Sequence, residues 1–139
     1  MVVADGEGVP LGVSLHSASP GEISLAPETL DQVKVGRQGP GRPRRHPERI
    51  IADRGYDSIG FRLFLKTRGI ELIAPHLSTR KRKHQDGRPL RRYRRRWKIE
   101  RTMAWLGNFR RIVVRWDRDL TIYKAFVHVA CMLIACRTL

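Results

Sequence analysis

Between residues 49 and 74 the chain leaves little choice of local structure. Arg49-Ile50-Ile51-Ala52 is a short apolar run that ends at Asp53, and Ile70-Glu71-Leu72-Ile73-Ala74 is another, stopped by Pro75. Proline has no N–H to give to a strand ladder, so the second run ends there. A helix is predicted between them. Ser58 stands at its N-cap, where a side-chain oxygen accepts from free N–H groups, and Gly69 follows Arg68 as the C-cap. Strand, helix and strand in that order predict a parallel α/β unit.

The flanks add further elements. Residues 1–16 read as two short strands around an Asp5-Gly6 turn, the second strand covering 9–15. Ile23, Leu25, Leu30 and Val33, with acids near the start, predict a helix over 22–35. Residues 36–47 are rich in Gly, Pro and Arg without periodicity and predict an exposed loop. After a basic loop at 78–88, Pro89 suits the first position of a helix running to Gly107. Residues 111–116 fit a strand or a helix extension. A last helix, 121–138, is apolar at Tyr123, Phe126, Val127, Ala130, Leu133 and Ile134. At 139 residues with no internal repeat, the chain is one domain large enough to bury a core.

Charge narrows the partner. The chain carries 28 Lys and Arg against 13 Asp and Glu, a net charge of +15. Residues 78–118 hold 16 of those cations and three acids, so 13 of the 15 positive charges lie there. That concentration favours a polyanion over an acidic small molecule. A ribosomal or histone-like protein reaches similar totals, but rarely with this much aliphatic sequence at both ends. Cys131 and Cys136 lack zinc-ligand spacing and are expected to pack as small hydrophobes in a reducing cytoplasm. The N-terminus has neither the basic nor the apolar region of a signal peptide. The apolar run 125–136 is shorter than the roughly 20 residues of a membrane span. It is expected to be a buried core helix, not an anchor.

Two carboxylates stand out. Glu100 is the only acid in Tyr93-Arg94-Arg95-Arg96-Trp97-Lys98-Ile99-Glu100-Arg101. An acid in a cationic wall suits a metal-dependent enzyme acting on phosphodiesters. The bland alternative is a surface pair with a neighbouring Arg. Asp53 follows an apolar strand at its carboxyl end, where open α/β sheets place functional groups. Its bland alternative is that Asp53 or Asp57 initiates the next helix. On a 89–107 helix, Tyr93, Arg96, Glu100 and Ala104 share one face. Trp97, Met103, Ala104 and Leu106 form an apolar stripe expected to be core. Arg91, Arg92, Arg95, Lys98, Arg110 and Arg111 are candidate DNA-backbone contacts beside Tyr93 and Arg96.

Ala52-Asp53-Arg54-Gly55-Tyr56-Asp57 resembles the second-aspartate motif of bacterial insertion-sequence DDE transposases. Asp86-Gly87-Arg88-Pro89-Leu90, then Tyr93, Arg96, Glu100 and the block from Arg101 to Arg111, resemble their tyrosine–arginine–glutamate signature. Asp5-Gly6-x-Gly8-x-Pro10-Leu11 is similar to their second-to-third strand hairpin. The resemblance covers nearly the whole chain, 1–139. It implies a ribonuclease-H-like fold, a mixed sheet with flanking helices, and metal-dependent DNA strand cleavage and transfer.

Asp53 would then be the second acidic ligand and Glu100 the third, for Mg2+ or Mn2+. Tyr93 and Arg96 would support Glu100 and the DNA backbone. The family's cation seven residues after the Glu falls on Gly107, which leaves that role to Arg110 or Arg111. The family's first aspartate lies upstream of the hairpin where this chain begins, and Asp5 sits in the turn. The expectation is an incomplete catalytic domain without its first, central strand, inactive alone. Its partners would be transposon-end and target DNA, the upstream transposase segment and further copies of itself, in the bacterial cytoplasm at the nucleoid, with no membrane. A non-enzymatic nucleic-acid-binding protein is the alternative, though a pure binder has no use for acids facing phosphate.

Overall fold

The computed structural model describes residues 1–16, 21–37, 39–81 and 87–138. Residues 82–86 of the basic 78–88 loop, among them Asp86 of the resemblance block, lie outside the described residues. The chain divides into two compact units, Val33–Arg96 and Met1–Gln32 with Trp97–Leu139.

The Val33–Arg96 unit is built on the expected strand–helix–strand segment. Numbered after the hairpin strands β1 (Val2–Ala4) and β2 (Pro10–Val13) of the other unit, its strands are β3 (Arg49–Ile51) and β4 (Glu71–Ile73), which pair in parallel with Arg49 opposite Glu71 and Ile51 opposite Ile73. Arg49 Nε donates to the Glu71 carboxylate at 2.9 Å across the pair. Helix α2 (Ile59–Thr67) joins them. The Ser58 hydroxyl accepts from Phe61 N–H, and Gly69, at φ +71°, closes the helix as expected. Phe61 and Leu65 are buried with Ile70, Leu72, Ile73 and Ala74, so α2 packs its apolar face on β4. The described residues of 36–46 are exposed, but the segment is tied at its base, where Val35 and Arg44 exchange backbone hydrogen bonds of 2.9 and 2.8 Å.

The helix expected over 89–107 is two kinds of helix. Arg88–Arg96 is a nine-residue 3-10 helix, and α3 follows as Trp97–Gly107. Runs of 3-10 beyond three or four residues are uncommon, because the tighter ladder bonds less well. Residues three apart eclipse in this helix. Leu90, Tyr93 and Arg96 therefore form one row, and that row is the half-buried one, while Arg91, Arg92, Arg94 and Arg95 are exposed. A common face running on from Tyr93 and Arg96 to Glu100 and Ala104 assumed one α-helical period throughout, and the change of helix type removes that premise.

In the other unit β1 (Val2–Ala4) and β2 (Pro10–Val13) form an antiparallel hairpin with an irregularity at Val3/Ala4. The turn is longer than the two-residue Asp5-Gly6 type expected. Asp5 Oδ1 accepts from the N–H of Glu7 (2.8 Å) and Val9 (2.9 Å), and the positive φ, +83°, falls on Gly8. α1 spans Glu22–Asp31, shorter than the 22–35 expected, because Gln32 caps it and sends its side-chain oxygen to Val13 N–H. The Ser14 and Thr29 hydroxyls, both buried, bond at 2.5 Å and fasten β2 to α1. Among the described residues the strands form two separate pairs, not the single mixed sheet expected.

Residues 111–116 resolve in favour of helix: α4 is Arg110–Val113. The last helix, α5, spans Leu120–Thr138 and buries Val127, Ala130 and Ile134. Ala130 and Ile134 join Leu106 in a core lined by Val2, Trp105, Phe109, Ile112 and Cys131. The expectation of a buried core helix holds for that stripe only, since Ile122, Val129, Met132 and Leu133 are exposed. By length and composition alone α5 is apolar enough to cross a membrane. The expected core stripe of α3 also shrinks. Leu106 is buried with Thr102, whereas Trp97 and Met103 are exposed.

α3 grips the hairpin turn through three successive carbonyls. Lys98 Nζ donates to the Gly6 carbonyl, Arg101 to that of Glu7 (2.6 Å) and Thr102 to that of Gly8 (2.6 Å). A Cβ on Gly8 would lie 3.1 Å from the Thr102 hydroxyl and 3.3 Å from the Lys98 carbonyl, in a conformation unfavourable to L-residues. Gly8→Ala should therefore lower unfolding stability by about 2 kcal/mol, combining the left-handed backbone cost with the crowded contact. Chemical denaturation of the two proteins measures it.

Candidate functional site

Asp53 is carried to its position by β3. Ala52 N–H bonds the Ile73 carbonyl at 3.1 Å, which extends the parallel pairing one residue and leaves Asp53 at the strand's carboxyl end. A short 3-10 turn, Arg54–Tyr56, starts at once, and Asp53 Oδ1 accepts from Arg54 N–H at 2.6 Å. The bland alternative, that Asp53 or Asp57 initiates the following helix, holds only for this 3-10 turn, since α2 is capped by Ser58. The carboxylate has other neighbours as well. Tyr93 Oη donates to Oδ1 at 3.3 Å, and Arg96 Nη1 lies 3.4 Å from Oδ2. Both belong to the inward row of the 3-10 helix, so the eclipsed spacing that buries the row also delivers phenol and guanidinium to one acid. The Arg96 guanidinium also lies 5.8 Å from the centre of the Tyr93 ring. Burial pushes the Tyr93 phenol up, Asp53 adds to the push and Arg96 works against it, so the phenol stays a hydrogen-bond donor at neutral pH.

Asp53 is 58 % exposed and Arg96 32 %, so solvent and a large ligand reach both. Hard carboxylate oxygens suit Mg2+ or Mn2+, ions that commonly take one or two protein carboxylates and complete their shell with water and substrate phosphate. Asp53 fits that pattern as a single ligand. No cluster of three or more acids, histidines or cysteines forms among the described residues. Asp5 is spent on its own turn.

The turn beneath Asp53 hangs on a residue that sequence reasoning treated only as a helix initiator. Asp57 is fully buried at its side chain. Its Oδ1 takes Arg62 at 2.9–3.0 Å, and its Oδ2 takes Arg80 Nε (2.8 Å) and Leu77 N–H (2.9 Å). His76 Nδ1 is 3.1 Å from both oxygens. Arg80 also reaches the Asp57 carbonyl, and Arg62 the Ala74 carbonyl, each at 2.9 Å. The exit of β4, the start of α2 and the turn after Asp53 therefore share one anion. No local pattern announces this, since its partners lie 5 to 23 residues away and are common surface residues.

The other candidates are dispersed. Arg91, Arg92 and Arg95 stand on the exposed rows of the 3-10 helix. In the second unit Glu100 is exposed in the first turn of α3, and its neighbour Lys98 is committed to the hairpin, with Glu7 at 3.1 Å besides the Gly6 carbonyl. Arg101 lies between the rings of Trp97 (4.9 Å) and Trp105 (4.6 Å). Arg110 is exposed; Arg111 is 3.5 Å from Asp117 and 5.1 Å from the Phe126 ring centre.

Burial alone would push the Asp57 carboxyl up, but the Leu77, Arg62 and His76 hydrogen bonds and the Arg62 charge outweigh it and bring it down to about 2 from 3.8. The depressed folded value means this stability is present above pH about 4 and is lost as the pH falls towards 2. Its size is on the order of 2 kcal/mol. Asp57→Ala, which leaves two partly buried guanidinium groups without their anion, should cost about 3 kcal/mol and flatten the acid limb of the stability curve below pH 4. Denaturation from pH 2 to 7 checks both.

The chain is 38 % identical over 138 residues to the protein assigned as transposase for insertion sequence element IS402 of Burkholderia cepacia, covering 99 % of this chain and 62 % of that protein. It is 29 % identical over 132 residues to the counterpart for element IS6501 of Brucella ovis, covering 95 % of this chain and 92 % of that one. The chain thus spans under two thirds of the length of the first relative. No solved structure matches it. The sequence profile described as the transposase DDE domain matches residues 1–135, and the chain belongs to that family of insertion-sequence transposases.

Proposed function

We propose that this chain is part of the catalytic domain of an insertion-sequence transposase, with a ribonuclease-H-like arrangement, acting in DNA strand cleavage and transfer. The observation that supports this most is the convergence of Tyr93 and Arg96 on the strand-end Asp53. Asp53 and Glu100 are the metal-binding acids of the reading. A bound Mg2+ or Mn2+ supplies Lewis acidity at the phosphodiester and lowers the pKa of an attacking water. Asp53, held by its own turn, presents its carboxylate from a rigid strand end. Tyr93 orients that carboxylate, and Arg96 joins Arg91, Arg92 and Arg95 in taking the DNA backbone. Arg110 and Arg111 add cations on α4.

A third carboxylate comes from outside the described residues, on an upstream segment of the transposase, and the working enzyme contains more than one copy. Such a protein works at the bacterial nucleoid. The 139-residue chain alone has two of the three acids and is inactive, since misplacing a reacting group by about 1 Å can cost a hundredfold in rate.

Two measurements test this. Binding of the chain to duplex DNA should be largely independent of sequence and weaken by about three decades between roughly 50 and 200 mM salt. Salt-insensitive binding, or none at low salt, would count against the basic segment as a DNA contact. In Mg2+ or Mn2+ the chain should not cut element ends, and the protein with its upstream segment restored should. Asp53→Asn or Glu100→Gln should then abolish cleavage. Robust cutting by the 139-residue chain alone would falsify the assignment of the missing acid.

A further inference from the structure

We propose that Arg96 is a latch that couples DNA binding to ion binding at Asp53. The inference rests on Asp53 being an ion-binding acid, as above, and adds how access to it is controlled. Arg96 Nη1 stands 3.4 Å from Asp53 Oδ2, the oxygen left uncommitted by the turn, while Oδ1 is engaged by Arg54 N–H and Tyr93 Oη. The guanidinium therefore occupies the cationic position that a divalent ion would take. Both side chains are partly exposed, and the separation exceeds the roughly 2.7–2.9 Å of a tight charge-assisted pair. Such a contact is easily exchanged.

Arg96 also ends a helix whose outer rows are arginine, so a phosphate backbone drawn to Arg91, Arg92 and Arg95 arrives within reach of it. A phosphate that takes Arg96 frees Oδ2 and removes a positive charge from beside the incoming ion. Without DNA, the arginine keeps the ion out. By linkage, whatever DNA does for the ion, the ion does equally for DNA.

The test is a Mn2+ titration of the 139-residue chain without DNA, followed by loss of the free-ion electron paramagnetic resonance signal. It compares wild type, Arg96→Ala, Arg96→Gln and the double variant Arg96→Ala/Asp53→Asn, each verified as folded by circular dichroism. Both single variants should bind Mn2+ about fivefold more tightly than wild type, the gain expected on releasing one exposed ion pair. The double variant should lose the gain. On the same proteins, Arg96→Ala should reduce the slope of log affinity for duplex DNA against log salt by about one. Equal Mn2+ affinity in wild type and single variants, a gain that survives in the double variant, or an unchanged salt slope overturns the latch. Failure of the underlying reading shows elsewhere: wild type would not bind duplex DNA, or the restored protein would cut with Asp53→Asn in place.

Discussion

A single buried anion organises the Val33–Arg96 unit. The short parallel pair and one helix leave little apolar area to fix the loops around them. Asp57 does so electrostatically, gathering Arg62 from α2, His76 and Arg80 from the segment after β4, and the Leu77 amide. A buried carboxylate is costly unless its lone pairs are filled, and here each oxygen has several donors. The candidate acid four residues upstream gains a fixed base from this. Asp53 is exposed, but the turn it begins ends at a residue that cannot move without stranding two arginines.

The strand–helix–strand segment was legible because its signals are local: apolar runs, a Ser at the N-cap, a Gly at the C-cap. Local signals also located the hairpin, the α5 stripe and Asp53 at a strand end. They failed where period or partner is set at a distance. Nothing in Pro89 to Arg96 distinguishes a 3-10 helix from an α-helix, and like-charged arginines weaken any argument from helix propensity. The Asp57 cluster escaped notice because a buried ion pair has no sequence period. Lys98 reads as one more cation in a basic run, yet its ammonium faces the Gly6 carbonyl and the Glu7 carboxylate. The core stripe assigned to α3 was too broad because Trp97 was counted as apolar area. It stacks on Arg101 instead and stays half in water.

In the unit formed by Met1–Gln32 and Trp97–Leu139, the two termini of the chain are interdependent. The hairpin turn gives its carbonyls to α3, Val2 packs into the core of Leu106, Ala130 and Ile134, and α1 is fastened to β2 by paired hydroxyls. The bonds from α3 to the hairpin turn join residues more than 90 positions apart. Closing so long a loop is entropically slow, so this unit depends on late, non-local contacts, whereas β3, α2 and β4 can assemble from near neighbours.

The nine-residue 3-10 helix also acts as a ruler. With about 2.0 Å of rise per residue it extends roughly 18 Å, where the same residues in an α-helix would cover about 13.5 Å. At about 3.4 Å per nucleotide along one strand, that is roughly five phosphates of reach. The ruler has three edges, and which edge faces Asp53 depends only on counting in threes. Exchanging one outer arginine for lysine changes a contact. Inserting or deleting one residue before Tyr93 instead rotates the helix by about 120°, sending the phenol and guanidinium to the solvent and an outer arginine row towards the acid. The segment is therefore permissive in composition and strict in length.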